Sequence, residues 1–196
     1  MKAHAGPVAA MKELTLDSAV ASLRAGGVIA YPTEAVWGLG CDPANEAAVL
    51  KLLQLKQRPV EKGMILVAAE LAQLEGWVRL QALPDARQRA VLASWPGANT
   101  WILPAGPRAK PWITGEHSGI AVRISAHPLV AALCRAWGGP LVSTSANLAG
   151  QPPARSRAGL DPNLLRDLDG LVDGATGGLD QPTPIRDALT GHVLRT

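Results

Sequence analysis

The chain has 196 residues, of which 47% are hydrophobic and 18% charged, a composition that suits one folded domain with a full core. It contains no low-complexity run, which argues against disorder, and its net charge of +3 permits an anionic ligand without requiring nucleic acid. Residues 1–12 lack the apolar segment of a signal peptide, no apolar run is long enough to span a bilayer, and two distant cysteines, Cys41 and Cys134, form no metal or redox motif. We therefore expect a cytoplasmic protein.

Helices and strands are predicted from hydrophobic periodicity and from the residues that cap or end each segment. A first helix over residues 18–25 has Thr15 or Asp17 as its cap, and Asn45 caps the second helix. In chain order, the prediction is a helix at 18–25, a strand at 28–31, a polar loop at 32–40, a helix after Asn45, a strand at 64–69, a helix at 85–94, strands at 100–103 and 119–125, a helix at 127–137, a strand at 141–142 followed by a polar loop to 147, a helix at 160–168, and one or two strands within 183–195.

Helices and strands alternate, which favours an α/β fold with a mixed sheet. No segment after residue 12 is long or polar enough to mark a linker, so we divide the chain into an N-terminal extension, residues 1–11, and one domain, residues 12–196. A pair of glycines precedes a strand and a polar loop twice, at Gly26 and at Gly138. Binding sites commonly gather at such strand ends.

The strongest local cluster of charge is Lys56, Arg58 and Lys62 at the end of the second helix. Cations at this end match the helix dipole, so a solvated helix terminus is one interpretation. Two features favour a phosphate site instead: Lys56 falls at a position of the apolar stripe where a core residue is expected, and Pro59 stiffens the chain between the cations.

Residues 143–147, Ser-Thr-Ser-Ala-Asn, follow a predicted strand. They are interpreted either as a capped turn or as an anion-binding concavity made of hydroxyls and free backbone N–H groups. No base is adjacent to the hydroxyls, so a covalent serine nucleophile is not expected. The sequence also lacks the P-loop, dinucleotide and G-x-S-x-G motifs, and its four histidines have no metal-ligand spacing.

Three further polar residues lie within a predicted strand or shortly after one. Arg123 lies between apolar neighbours and either points outward by alternation or points inward to bind a carboxylate or phosphate. Thr33 and Glu34 follow the first strand, and Glu34 can be a base, a metal ligand or a loop carboxylate.

Several of these segments match one family in the same order along nearly the whole chain. The matching segments are AYPTEAVWGLGCD at 30–42, LKQRP at 55–59, KG at 62–63, WPG at 95–97, AVR at 121–123, HPLV at 127–130, PLVSTSANL at 140–148 and IRDALTG at 185–191. On these residues the chain resembles the YrdC-type threonylcarbamoyl-AMP synthases, in their short bacterial form.

The resemblance implies a single catalytic domain over residues 12–196, with a twisted mixed sheet, flanking helices and a basic concave groove. It implies an enzyme, a nucleotidyltransferase that joins L-threonine, bicarbonate or CO2, and ATP into threonylcarbamoyl-AMP and pyrophosphate. The product would pass to a separate transferase complex that forms threonylcarbamoyladenosine in tRNA. Mg²⁺ is expected to enter with ATP, without ligands from the protein.

The resemblance also assigns roles to individual residues. Threonine contacts are implied for Thr33, Arg123 and Thr183, although Thr183 takes a place where the family often has Ser. Contacts to ATP are implied for Lys56, Arg58, Lys62, Ser143, Ser145, Asn147 and Arg195, and catalytic roles for Lys56, Arg58, Ser143 and Asn147. The expected mechanism is positioning with electrostatic stabilisation, without an enzyme-bound intermediate.

Two other functions use the same basic concavity. One is a binding module for double-stranded RNA or ribosome assembly, since a basic groove attracts phosphate generally. The other is a domain that handles carbamoyl-adenylate, like that of the hydrogenase-maturation carbamoyltransferases, which belong to much longer chains. Weak RNA binding is also compatible with the synthase.

Overall fold

The computed structural model describes residues 11–195, so the predicted N-terminal extension lies almost wholly outside the described residues. The helices are α1 (Leu16–Arg24), α2 (Glu46–Leu55), α3 (Asp85–Ala93), α4 (Pro111–Thr114), α5 (Pro128–Trp137) and α6 (Pro162–Arg166). The strands are β1 (Ile29–Pro32), β2 (Trp37–Gly40), β3 (Ile65–Ala68), β4 (Thr100–Pro104), β5 (Gly119–Ile124), β6 (Leu141–Ser145), β7 (Gly170–Leu171), β8 (Ile185–Asp187) and β9 (Val193–Arg195).

Side chains that precede the helices hold their first turns in place. Thr15 accepts a hydrogen bond from the Ser18 backbone N–H, and Asn45 accepts one from that of Ala48, so both predicted caps are confirmed. Helix α5 opens with Pro128 and is followed by Gly138, whose left-handed φ of 86° suits glycine. The late helix is shorter than predicted: Asp161 caps α6, which ends at Arg166.

The nine strands found within residues 11–195 form one sheet in the order β7-β1-β2-β6-β3-β5-β4-β8-β9. Three neighbouring pairs are parallel, β1 with β7, β3 with β5 and β4 with β8, and the other pairs are antiparallel. The predicted α/β fold with a mixed sheet is therefore confirmed.

Two segments expected to be loops are strands, and these expectations were wrong. Residues 37–40 form β2, which pairs with both β1 and β6 although it contains Gly38 and Gly40. A side chain at Gly40 would approach the Val142 carbonyl oxygen to 2.6 Å, so glycine permits this close strand packing. The second correction is that β6 continues through Ser143 to Ser145, because these residues pair with β2 and β3. Tertiary pairing outweighed local propensity in both segments.

The two faces of the sheet are covered differently. Leu66 and Val142 belong to a core that includes the apolar side of α2. On the opposite face, Val67 and Leu141 pack with residues of α1 and α5 in a second buried cluster. Helices α1 and α5 cover one end of this face, and the other end stays open.

None of the helices between residues 11 and 195 has the length and apolar character needed to cross a membrane.

Candidate active site

The open end of the sheet face forms a groove of about 810 Å³. Its predicted functional residues come from separate parts of the chain. Those that line the groove are Thr33, Arg58, Lys62, Arg123, Ser143, Ser145, Thr183 and Arg195. The remaining lining residues that matter here are Ile65, Ile102, Glu116, Ala121 and Asp187. Together these residues bound the groove.

The floor of the groove is one row of residues that runs across five strands. Ser143 on β6 is in register with Ile65 on β3, Ile65 with Ala121 on β5, Ala121 with Ile102 on β4, and Ile102 with Asp187 on β8. Neighbouring strands lie about 4.8 Å apart, so this row spans about 19 Å along the sheet. Its middle is apolar and its two ends are polar, which suits a ligand with an apolar ring and a charged group.

The end of α2 sends Lys56 and Arg58 in different directions. Gln57 has a φ of 50°, and the N–H groups of Gln57 and Arg58 bond to the carbonyls of Gln54 and Leu53. This is the hydrogen-bond pattern of a Schellman motif, in which glycine usually occupies the left-handed position. The sharp turn carries Arg58 into the groove while Lys56 stays beneath it.

Lys56 is only 4% exposed and is not among the residues that line the groove. Its ammonium donates to the Asn147 carbonyl at 2.7 Å and to the Ser145 carbonyl, and it lies 3.5 Å from the Asn147 side-chain oxygen. Burial, followed by the charge of Arg58, lowers the pKa of Lys56 to about 8. Lys56 therefore holds the backbone that follows β6, and its predicted contact with ATP stays a prediction.

Asn147 also faces away from the groove. Its side-chain amide donates to the carbonyls of Leu148, at 3.0 Å, and Gln151, at 2.6 Å. The catalytic and nucleotide roles predicted for Asn147 stay predictions as well. Ser143 and Ser145, which belong to β6 and precede Asn147 in the chain, do line the groove.

Arg58 and Lys62 lie together at one side of the groove. Arg58 donates to the Gly63 carbonyl at 3.0 Å, and burial lowers the pKa of its guanidinium. Lys62 is exposed at the end of the short 3-10 turn Val60–Lys62. The two cations are thus free to face a phosphate group from this side.

Arg123 is 6% exposed and points inward, which settles the two alternatives left open by the sequence. Its guanidinium donates to the Thr183 hydroxyl at 2.8 Å and lies 3.3 Å from the Glu34 carboxylate. Thr183 in turn lies 3.0 Å from the hydroxyl of Thr100. The pair Arg123 and Glu34 is the buried ion pair of the described chain, since the others involve exposed side chains.

Arg195 completes the cationic lining from β9. It donates to the Thr183 carbonyl at 2.8 Å. Partial burial lowers the pKa of its guanidinium, and the charges of Arg123 and Arg58 lower it further. Three guanidinium groups in one groove concentrate positive charge and attract an anion locally, despite the small net charge of the chain.

Sequence reasoning missed the apolar floor and its acidic end. Ile65 lies in a strand that is apolar throughout, so nothing in the sequence separates it from the core. Asp187 lines the groove from the IRDALTG segment, to which the resemblance assigned no role, and Glu116 lines it from a segment outside the matching motifs. Within residues 11–195, no group of three His, Cys, Asp or Glu side chains is placed to hold a metal ion.

The fold and the groove define a class of protein: an α/β domain that receives an anionic small molecule on the open end of a mixed sheet. The family model for the Sua5, YciO and YrdC proteins, described as "Telomere recombination", matches residues 21–196. The chain therefore belongs to the Sua5/YciO/YrdC family.

Individual relatives are more specific still. The chain is 87% identical to the threonylcarbamoyl-AMP synthase of Stenotrophomonas maltophilia (strain K279a), an alignment that covers 95% of this chain and 100% of that protein. It is 69% identical to the threonylcarbamoyl-AMP synthase of Xanthomonas euvesicatoria pv. vesicatoria (strain 85-10), covering 93% of this chain and 97% of that one.

A solved structure of similar fold is that of P. abyssi Sua5 complexed with L-threonine. It is 28% identical, with a TM-score of 0.81, over 88% of this chain and 50% of that chain. The present chain therefore spans about half the length of the P. abyssi protein.

Proposed function

We propose that this protein is an L-threonylcarbamoyladenylate synthase, which converts L-threonine, bicarbonate or CO2, and ATP into threonylcarbamoyl-AMP and pyrophosphate. The observation that carries the proposal is the convergence of Arg58, Lys62, Arg123 and Arg195 with Ser143 in one groove. The chain is also 87% identical to a protein of that name. A volume of about 810 Å³ lies within the range of about 300–1,000 Å³ typical of small-molecule sites.

The reaction divides into two bond-forming steps. The threonine amine attacks the carbon of CO2 and loses a proton to solvent, which gives a carbamate. If bicarbonate is the substrate, the same N–C bond forms while a C–O bond breaks and water leaves. A carbamate oxygen then attacks the α-phosphorus of ATP, and the bond to the departing pyrophosphate breaks. The second step brings together two anions, the carbamate and the triphosphate, so the main task of the protein is to hold the reactants in place and offset their charge.

The groove offers a surface for each part of the reactants. Arg58 and Lys62 would hold the phosphates and stabilise the charge that develops on pyrophosphate, beside the hydroxyls of Ser143 and Ser145. The apolar floor would carry the adenine ring. Arg123, with Thr33 and Thr183 beside it, would bind the threonine carboxylate, because a guanidinium can bind a carboxylate with two parallel bonds.

Mg²⁺ fits this arrangement as a companion of ATP. Among the lining residues the carboxylates are Glu116 and Asp187, and they lie on separate segments. An ion of this kind is usually held by substrate phosphates with one or two carboxylates, where it neutralises phosphate charge. The protein residues need only bind the nucleotide that carries it.

The product would be consumed by a tRNA threonylcarbamoyl transferase complex, and we propose that both act in the cytoplasm. The thiols of Cys41 and Cys134 are free and buried, as suits a reducing compartment. Burial raises the pKa of Cys134 to about 12, so this thiol stays protonated and unreactive.

Pyrophosphate release from ATP, measured with threonine and with bicarbonate each left out, tests the proposal. Release that requires both substrates is the expected result. Binding of double-stranded RNA without any turnover would support the RNA-binding module instead. Release that needs bicarbonate but not threonine would point to a different carbamoyl-adenylate reaction.

A further inference from the structure

Glu34 is a buried carboxylate to which the proposed reaction gives no role. It lies in the turn between β1 and β2 and is only 6% exposed. Its neighbours Thr33 and Ala35 line the groove, whereas Glu34 does not. The carboxylate therefore sits behind the wall of the groove, out of reach of a substrate amine.

One oxygen of Glu34 accepts a hydrogen bond, whereas the other is buried without one and faces only the charge of Arg123. Oε1 accepts a hydrogen bond from the Ser125 hydroxyl at 2.7 Å, and Oε2 lies 3.3 Å from a terminal nitrogen of Arg123. The Ser125 hydroxyl oxygen in turn accepts from the backbone N–H of His127 at 3.1 Å. This chain of contacts ties the turn after β1 to the start of α5 and fixes the carboxylate against Arg123.

The other side of the Arg123 guanidinium is held too. Its second terminal nitrogen donates to Thr183, which is itself paired with Thr100. A flexible side chain is therefore fixed between two partners that come from distant parts of the chain. The loss of rotamer freedom that ligand binding would otherwise require has largely occurred before the ligand arrives.

Charge gives Glu34 a second effect on Arg123. The guanidinium shares the groove with Arg195, and the two positive charges repel each other. Within the described chain Glu34 is the carboxylate paired with Arg123, so its negative charge offsets that repulsion and keeps the guanidinium in place.

We propose that Glu34 is a positioning residue for amino-acid recognition: held by Ser125, it orients Arg123 to bind the carboxylate of the amino-acid substrate. The inference rests on the proposed function and assigns Glu34 neither a base role nor a metal-ligand role. It makes the selection of a substrate with a free carboxylate depend on a residue that does not touch the substrate.

The test is Glu34→Gln, which keeps the shape of the side chain and removes its charge. The KM for L-threonine should rise about tenfold, while kcat and the KM for ATP change by less than about threefold. In calorimetry, L-threonine should lose much of its advantage over L-threoninamide, which lacks the carboxylate charge. The matched control is Glu70→Gln, which removes a charge from an exposed position. It should change neither the KM for L-threonine nor the preference for L-threonine over L-threoninamide.

A second variant keeps the proposal testable if thermal denaturation shows that the Glu34→Gln protein does not fold. Ser125→Ala leaves the carboxylate in place and removes its support, so the KM for threonine should rise in the same direction by a smaller factor. A fall in kcat with unchanged KM for threonine and a lost acid limb of the pH profile would identify Glu34 as a base and overturn the proposal. Unchanged discrimination between threonine and threoninamide in both variants would also overturn it.

Failure of the proposed function is a separate outcome. It would appear in the unmodified protein as pyrophosphate release that does not depend on threonine, before any variant is compared.

Discussion

The two ends of one sheet face are built from the same strands but have different roles. Helices cover one end, which is part of the core, and the other end is open and forms the groove. Leu141 and Val67 face each other in register beneath α1 and α5, with no exposed surface. Ser143 and Ile65 each lie two residues further along the same strands. They also pair in register, but they line the groove. Strand alternation places all four side chains on one face, so the helix cover alone separates the core from the site.

The difference also has an energetic side. At the covered end, apolar burial stabilises the fold. At the open end, partial burial lowers the pKa of the Arg58 and Arg195 guanidinium groups, and the nearby charges of Arg123 and Arg58 lower that of Arg195 further. Because these cations are partly removed from water, an anion bound beside them would be stabilised, which marks the open end as a candidate binding site.

A substitution at the covered end should affect stability and leave activity intact. Leu141→Ala removes a fully buried side chain and should reduce the free energy of unfolding by about 2–5 kcal/mol. Urea denaturation measures the loss, and kcat/KM of the folded protein should stay close to that of the unmodified enzyme. Leu189→Ala, at a half-exposed position, is the control and should change little. A large loss of activity at full stability would contradict the division between the two ends.

A substitution at the open end should do the reverse. Arg58→Ala should lower turnover at least about tenfold, because it removes a cation that we propose faces the phosphates, while thermal denaturation stays near that of the unmodified protein. Arg135→Ala removes the same type of side chain from an exposed position on α5 and should leave turnover unchanged. Equal turnover in the two variants would remove Arg58 from the phosphate site.

The pH dependence of activity tests the role of Lys56. Its pKa of about 8 means that the ammonium form prevails below this pH and the neutral amine above it. The amine has fewer donors for the oxygens of Ser145 and Asn147, so kcat/KM should fall as the pH rises through about 8. In Arg58→Ala the nearby positive charge is gone, and the alkaline limb should move to higher pH. A profile that is flat between about pH 7 and 9.5 would show that the charge of Lys56 is not needed.

The smallest expected effect concerns the turn that separates Lys56 from Arg58. Gln57→Gly should stabilise the protein by less than about 1 kcal/mol, since glycine adopts a φ of 50° without the steric cost that glutamine has. Denaturation midpoints measure the change, and turnover should be unaffected. A clear loss of stability would mean that the Gln57 side chain contributes more than its backbone conformation costs.

Much of the fold could be predicted because its signals are local. Thr15 and Asn45 cap helices where the sequence placed them, and five strands lie near their predicted positions. The position of Lys56 on an apolar stripe favoured a phosphate site, and in the structure the side chain is buried beneath the groove. The prediction failed at β2, where Gly38 and Gly40 give little strand propensity and pairing with two neighbouring strands decides the structure.

The sequence by itself determined the residue types of the site: three cations near the end of α2, a run of hydroxyls on β6, and an arginine inside β5. Only the tertiary structure decided which way each one faces. A turn at Gln57 directs Arg58 into the groove and leaves Lys56 beneath it, and the Glu34 carboxylate meets Arg123 from a distant part of the chain. Periodicity reports whether a side chain is buried, whereas its partner depends on contacts between segments that are distant in the chain.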